Sequence, residues 1–194
     1  MMNPYEPVVC FENEVAKFTG SKNAIAVDSC TNALFLSCKY LQVKQVILPC
    51  KTYLSVACSV INAGGSIQFE DIKWEGYYPL SPYPIIDAAP IFEEMMYTKG
   101  TFFCISFSAN KRINIGKGGM ILTDDDEAAS WFRMARYMGK SLESDAPKFV
   151  GWNMYMLPEQ AARGLLLLHH VKQLKVFPRS YLDYPDISTY GIYQ

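Results

Sequence analysis

The chain has 194 residues, of which half are apolar and 19% are charged, and its formal net charge is −1. This length and composition are typical of a globular protein with one domain, or one and a half, around a sizeable core. The near-neutral charge gives no reason to expect nucleic acid or a membrane surface as a partner, and the apolar runs are too short to span a bilayer.

The cysteine pattern and the first residues bear on compartment and metal binding. The six cysteines, at positions 10, 30, 38, 50, 58 and 104, include no CxxC pair and fall mostly in apolar segments. We interpret them as reduced core thiols, and their spacing does not favour a metal site. Residues 1–6 have neither a basic start nor an apolar stretch, so no secretion signal is expected. A cytoplasmic protein without a metal centre is predicted.

Short apolar strands alternate with helical segments along the chain. Helices are predicted over 11–18, 32–41, 52–63, from the acidic cap at 124–126 to about 138, and from 158 to about 174. Strands are predicted over 24–27, 45–48, 66–69, 84–87, 101–107 and 119–123. A loop rich in proline and tyrosine is expected over 77–84, and the similar tail 177–194 is expected to pack as an extended arm.

This alternation predicts one α/β domain over residues 1–194, a three-layer α/β/α sandwich around a mostly parallel sheet of about six strands. Ligands of such sheets bind beside the carboxyl ends of the strands. Polar residues follow several of the predicted strands, so we expect the functional site at that edge of the sheet.

The most informative segment is the predicted strand 101–107, which is followed by Lys111 and by the glycine cluster 116–119. A lysine just past the end of a buried strand is partly desolvated, and desolvation lowers the pKa of its ammonium group. Such an amine can act as a nucleophile and form a Schiff base with a carbonyl. By itself, however, a lysine at this position is more often a solvated surface charge.

Five segments together resemble motifs of the DegT/DnrJ/EryC1/StrS aminotransferases, the sugar aminotransferase branch of the fold-type-I enzymes that depend on pyridoxal phosphate (PLP). They are Ser-Cys-Thr-Asn-Ala-Leu at 29–34, Pro-Cys-Lys-Thr-Tyr at 49–53, Ile-Ile-Asp-Ala-Ala at 85–89, Ser-Phe-Ser-Ala-Asn-Lys at 106–111, and Gly-Trp-Asn at 151–153 with Glu-Gln-Ala-Ala at 159–162. Each motif alone is weak. The resemblance rests on their occurrence together, in the family's order, over most of the chain.

The resemblance implies that several residues bind PLP. Lys111 would hold the cofactor and then act as general acid/base, and Asp87 would pair with the pyridinium nitrogen. The phosphate would lie at a helix N-terminus. Its donors would come from Cys30, Thr31 and Asn32, with Ser106 as a further donor.

The remaining implied site residues are Tyr53, Ala89 and Asn153. Tyr53 would lie against the cofactor ring, and Ala89 would complete the site beside the aspartate. Asn153 would reach the cofactor phosphate of a partner subunit, which implies a homodimer with its active site at the interface. Simpler interpretations exist for each motif, with Tyr53 as a core residue, Asn153 as a turn residue and Ser29 as a plain N-cap.

The chain departs from the family pattern at several positions. Cys30 stands where the family has glycine, Pro90 replaces a histidine or glutamine, Lys117 replaces a glutamate and Tyr155 replaces an arginine. The connection 71–87 is short where the family has a further strand and helices, and the small C-terminal domain is truncated. These departures affect the residues that face the substrate, so the sequence supports PLP binding better than any particular transamination.

The activity that the resemblance implies is transfer of an amino group from glutamate to a keto sugar or a related carbonyl compound. Lys111 argues against the family's dehydratases, which have histidine at that position. Two alternatives remain open at this point. The chain could be a PLP-binding or degenerate scaffold with a regulatory role, or an α/β protein without PLP, in which Lys111 is exposed and no pocket forms beside Asp87.

Overall fold

The computed structural model describes residues 3–142, 144, 146–174 and 179–193. Five α-helices lie within these ranges: α1 Glu6–Thr19, α2 Cys30–Tyr40, α3 Leu54–Asn62, α4 Asp126–Ala135 and α5 Pro158–His169. Seven strands lie there too: β1 Asn23–Val27, β2 Gln45–Pro49, β3 Ser66–Glu70, β4 Tyr78–Pro79, β5 Ile85–Asp87, β6 Phe102–Ser106 and β7 Gly119–Thr123. Short 3₁₀ helices form at Val171–Gln173, Tyr181–Asp183, Ile187–Thr189 and Gly191–Tyr193.

The predicted helices and strands all have counterparts, with shifted ends. α1 begins earlier than predicted, since Pro7 is tolerated in a first turn whose N–H groups have no partner inside the helix, and it ends at Gly20 with φ +81°. The last predicted helix ends at His169 and is followed by a 3₁₀ turn. β4 lies inside the predicted loop 77–84, where proline and tyrosine obscured a two-residue strand.

Five strands form one sheet in the order β1-β7-β6-β5-β4, and β2 pairs with β3 in parallel beside it. In the five-stranded sheet as described, β5 and β6 are parallel, whereas β1–β7, β6–β7 and β4–β5 are antiparallel. The α/β fold is therefore confirmed, but the expected mostly parallel sheet is corrected to a mixed one. The connections from β4 to β5 and from β6 to β7 contain no crossover helix, which a parallel pair of consecutive strands would need.

Helices cover both faces of the sheet and give the structure three layers. Along β1, Ala24 and Ala26 pack into a core with α1 and α5, whereas Ile25 and Val27 pack into a second core with α2, α3 and α4. β6 and β7 alternate between the two cores in the same way. Burial of both faces explains why these strands are apolar at every position rather than at every second one.

The outer edge of β1 is covered by side chains and by a neighbouring segment. Glu12 of α1 accepts a hydrogen bond from the Ala26 N–H at 2.8 Å, and Arg136, just after α4, donates both to Glu12 and to the Ala26 carbonyl. The N–H of Asp28 donates to the Met154 carbonyl at 2.9 Å. The backbone N–H and carbonyl of Ala26 and the N–H of Asp28 are thus hydrogen-bonded although no further strand follows.

Helix length and the placement of metal-ligating side chains among the described residues bear on membrane spanning and on metal binding. The longest helix among them, α1, has 14 residues, and none has the length and apolarity that a membrane span requires. All six cysteines are free thiols. No group of three metal-ligating side chains occurs in the same part of the chain.

Candidate functional site

A cavity of about 230 Å³ opens where β5 and β6 end and α2 and α3 begin. A cavity of this size has room for a small molecule rather than only for a single ion or water. Seven of the nine candidate site residues line it, namely Cys30, Thr31, Tyr53, Asp87, Ala89, Ser106 and Lys111.

Asp87, the last residue of β5, is the acidic group of this cavity. It is 4% exposed, and its Oδ2 accepts a hydrogen bond from the Tyr78 hydroxyl at 2.8 Å while its Oδ1 accepts one from the Ala89 N–H at 3.0 Å. Burial raises the pKa of Asp87, and the bonds from Ala89 and Tyr78 and the charge of Lys111 oppose that rise. A buried carboxylate held in this way is suited to a cationic or N–H partner.

Lys111 lies in the turn after β6, where its N–H donates to the Ser108 carbonyl at 3.0 Å. Its side chain is partly buried and lines the cavity. Burial lowers the pKa of its ammonium group, the positive charge of Arg179 lowers it further, and Asp87 and Cys30 oppose the shift. A larger fraction of this amine is therefore unprotonated near neutral pH than for an exposed lysine.

The N-terminus of α2 supplies donors for an anion. Ser29 is the N-cap, and its hydroxyl accepts from the Asn32 N–H at 3.2 Å, which leaves the N–H groups of Cys30 and Thr31 without an acceptor among the described residues. The aligned peptide dipoles make this end of the helix positive. Ser106, at the end of β6, adds a hydroxyl to the same cavity.

Gly119 allows β7 to pass directly behind this helix end. A Cβ atom at position 119 would lie 2.4 Å from the backbone nitrogen of Cys30 and 2.5 Å from the carbonyl carbon of Ser29. Any larger residue would displace the start of α2. The glycine cluster noted in the sequence thus brings two elements of the site together.

Asn32 and Asn153 are not among the residues that line the cavity. The backbone N–H of Asn32 is used by the Ser29 cap, and its side-chain amide donates to Asp28 at 2.6 Å, so Cys30 and Thr31 are the better placed donors. Asn153 is exposed, and its backbone forms an isolated antiparallel β-bridge with Tyr137. It remains a prediction for a site shared between subunits.

Several residues that line the cavity were not expected from the sequence. Thr52 lines it and shares a short hydrogen bond with Tyr78, a buried residue outside the lining whose hydroxyl donates to Asp87. Trp74, Arg179 and Tyr184 form a further wall. All but Thr52 lie in segments interpreted as loop or tail, whose composition gives no periodic signal that could mark a residue as buried.

The sequence profile of the DegT/DnrJ/EryC1/StrS aminotransferase family matches residues 1–85 and 92–182. The chain belongs to this family. Among curated relatives, the spore coat polysaccharide biosynthesis protein SpsC of Bacillus subtilis (strain 168) is 29% identical over 84% of this chain and 56% of its own length. GDP-perosamine synthase of Caulobacter vibrioides is 28% identical over 86% of this chain and 57% of its own length.

Solved structures share the fold of this aminotransferase family member. AtS13 from Actinomadura melliaura has a TM-score of 0.76 at 19% identity and covers 89% of this chain and 61% of its own. DesI, crystallised in the presence of its TDP-sugar product, has a TM-score of 0.74 at 22% identity, over 88% of this chain and 54% of its own. At sequence identities of 19% and 22%, these similarities show that the chain shares the fold of the two structures.

The chain spans about half the length of the curated relatives it matches. The alignment with SpsC nevertheless extends over 224 positions, more than the 194 residues of the chain. SpsC therefore has residues within the matched region that this chain lacks. Such a difference agrees with the short connection between β3 and β5.

Proposed function

We propose that this chain binds PLP in the cavity between Asp87 and Lys111 and takes part in transfer of an amino group to a keto sugar or a related carbonyl compound. The observation that carries the proposal is the convergence of three groups on one cavity: a partly buried amine, a buried carboxylate and a helix N-terminus with free N–H groups. Membership of the aminotransferase family supports the same reaction class.

The donor set of the cavity fits PLP. Lys111 is the residue to which the aldehyde would attach, and Asp87 would accept a hydrogen bond from the ring nitrogen. The free N–H groups of Cys30 and Thr31 would bind the phosphate together with the Ser106 hydroxyl. When bound, PLP supplies an aldehyde that accepts an amine and a ring that takes up electrons.

The chain's own residues then bind, orient and move protons. The lowered pKa of Lys111 lets its Nζ accept a proton and return it, which is the role of a general acid/base. Tyr78 and the Ala89 N–H hold both oxygens of Asp87 and so fix the carboxylate plane. Tyr53, at the mouth of the cavity and 56% exposed, would cover a flat ring and limit access of water.

Glutamate as amino donor and a keto sugar as acceptor complete the proposal. The named activities of GDP-perosamine synthase and the sugar product found with DesI support a sugar acceptor. A non-catalytic PLP-binding scaffold is the second candidate, and one observation favours it. The buried Cys30 side chain stands at the turn where the family has glycine, and it narrows the space at the phosphate end of the cavity.

We further propose that the chain works as a homodimer in the cytoplasm and that residues 1–194 form a single domain with the tail 177–194 as an arm, of which residues 177, 178 and 194 lie outside the described ranges. Asn153 is exposed, so its side chain is accessible to a partner subunit, and a β-bridge to Tyr137 fixes its backbone. The free cysteines fit a reducing compartment. Light scattering of the purified chain tests the dimer.

The cofactor proposal is tested by incubating the protein with PLP and recording visible absorbance before and after reduction with borohydride. We expect a yellow species whose reduction fixes the mass of the cofactor on the peptide that contains Lys111. Lys111→Ala should lose both the colour and the fixed mass, whereas Lys73→Ala, an exposed lysine outside the cavity, should keep them. A wild-type protein that stays colourless and unlabelled contradicts the proposal.

A second step separates enzyme from scaffold. Addition of glutamate to the coloured protein should bleach the visible band when the amino group is transferred to the cofactor. Colour that persists at saturating glutamate would favour the scaffold with a regulatory role.

A further inference from the structure

The C-terminal segment 179–193 forms one wall of the cavity and is anchored along its length. Ile187 is fully buried in the core, and its N–H donates to the Cys50 carbonyl at 2.9 Å, just after β2. Near the end of the segment, the Tyr193 hydroxyl donates to the Leu54 carbonyl at 3.3 Å. The segment is thus part of the folded structure beside the N-terminus of α3.

Arg179 enters the cavity from this wall. Its carbonyl accepts a hydrogen bond from the Gly76 N–H at 2.9 Å, which fixes the backbone at this point. Its side chain lines the cavity and hydrogen-bonds Tyr184, whose ring packs on Trp74 at 5.4 Å between centroids. In the described part of the chain, no carboxylate forms an ion pair with this guanidinium.

The cavity carries more positive than negative charge available to a ligand. Arg179 and Lys111 both line it, and the positive charge of Arg179 disfavours the charged form of Lys111 in these partly buried surroundings. Asp87 supplies one negative charge against these two, and Lys117 is paired with Asp28 at 3.1 Å. An anion beside Arg179 would therefore relieve an unfavourable charge pair.

The cofactor phosphate does not require this arginine. Its donors lie at the N-terminus of α2 and at the end of β6, whereas Arg179 belongs to the C-terminal segment beside Trp74 and Tyr184. A planar guanidinium presents two parallel N–H groups that match a carboxylate. The ligand for which this chemistry is suited is thus a carboxylate other than the chain's own.

We propose that Arg179 binds a carboxylate of the amino donor and thereby selects a carboxylate-bearing amine for the first half of the reaction. This inference rests on the proposed function, since it assigns the donor side of the same cavity. Arg179 is a specificity-determining residue in this scheme, and Lys111 remains the group that moves the proton.

The test uses glutarate, a dicarboxylate that resembles glutamate without its amino group, and the full chain in calorimetry with and without PLP. Wild type should bind glutarate, and Arg179→Gln should bind it about ten- to a hundredfold more weakly, as expected for loss of a charged hydrogen bond. Arg179→Lys should fall in between, because a single ammonium lacks the paired N–H groups. Lys172→Gln, an exposed surface cation, serves as the control.

Equal glutarate affinity in wild type and Arg179→Gln overturns the inference, as does wild type that does not bind glutarate. So does a loss of affinity for inorganic phosphate that is larger than the loss for glutarate, since Arg179 would then belong to the phosphate site. Far-UV circular dichroism checks that the variants are folded. We expect them to fold, because the buried Ile187 still anchors the C-terminal segment that carries position 179.

Failure of the proposed function gives a different pattern. If wild type neither colours with PLP nor is labelled at Lys111, but glutarate binding still depends on Arg179, the carboxylate site stands and the cofactor proposal falls. If Lys111 is labelled and glutarate binding does not depend on Arg179, only the present inference falls.

Discussion

At the scale of single residues, Lys111 and Asp87 differ in how deeply they are buried and in how many partners their charged atoms have. Asp87 is buried and has hydrogen bonds to both oxygens, whereas Lys111 is partly buried and its Nζ has no ion-pair partner within the described chain. The sequence could indicate these two residues, because each follows an apolar strand in a recognisable motif. It could not indicate Tyr78 or Arg179, because their roles depend on contacts between segments that are far apart in the sequence.

The lowered pKa of Lys111 predicts how stability depends on pH without cofactor. Between this lowered folded-state pKa and the ordinary value of 10.5, the unfolded chain binds more protons than the native one. The free energy of unfolding therefore rises with pH through this window. Lys111→Met should remove that rise and should be more stable than wild type at pH 7, because no charge has to be desolvated.

Urea unfolding of the cofactor-free protein at pH 7, 8 and 9 measures this effect. Lys73→Met, at an exposed position, is the matched control and should keep the slope of wild type. A Lys111→Met protein that is less stable than wild type at pH 7 would count against the proposed desolvation of this amine.

At the scale of elements, the site depends on how closely β7 passes the start of α2. Apolar runs and caps were enough to predict that both elements exist, because those signals are local. The antiparallel direction of β7 was missed, because the alternation of strands and helices says little about a pair joined without a helix. The spacing of the two elements rests on Gly119.

Gly119→Ala should lower the free energy of unfolding by about 1–3 kcal/mol, because the added methyl group meets backbone atoms that cannot rotate away. It should also weaken PLP binding, since the displaced atoms include the N–H of Cys30. Denaturant unfolding and titration of the visible band measure the two effects.

The control for this variant is Gly191→Ala, where a Cβ atom meets nothing within 4 Å and the backbone has no positive φ. If the two alanine variants have the same stability and the same PLP affinity, the close approach of β7 to α2 is not what holds the site.

At the scale of the whole molecule, Glu12 and Arg136 join elements on opposite faces of the sheet. α1 belongs to one core and α4 to the other, and the ion pair between Glu12 and Arg136 passes around the edge strand at Ala26. The motifs at 29–34, 49–53, 85–89 and 106–111 predicted four of the segments that meet at the cavity. They gave no indication of this pair, since a glutamate and an arginine 124 positions apart have no shared pattern.

Arg136→Met should lower the free energy of unfolding by about 3–5 kcal/mol, because Glu12 is then a buried charge without its partner. Arg133→Met, in the last turn of α4 and with a 3.4 Å side-chain contact to Asn23, should change stability much less. Chemical denaturation followed by circular dichroism compares the free energies of unfolding of the two variants. Similar losses would contradict the prediction that the buried ion pair stabilises the fold more than a surface contact does.

The covered edge of β1 also limits how two copies of the chain can associate. Because the Ala26 N–H and carbonyl are already bonded to side chains and the Asp28 N–H is bonded to Met154, no strand of a second molecule can pair with β1 at these residues. A dimer cannot then form by pairing of a second strand at this part of β1. Hydrogen exchange at the Ala26 amide should accordingly be slow and independent of protein concentration.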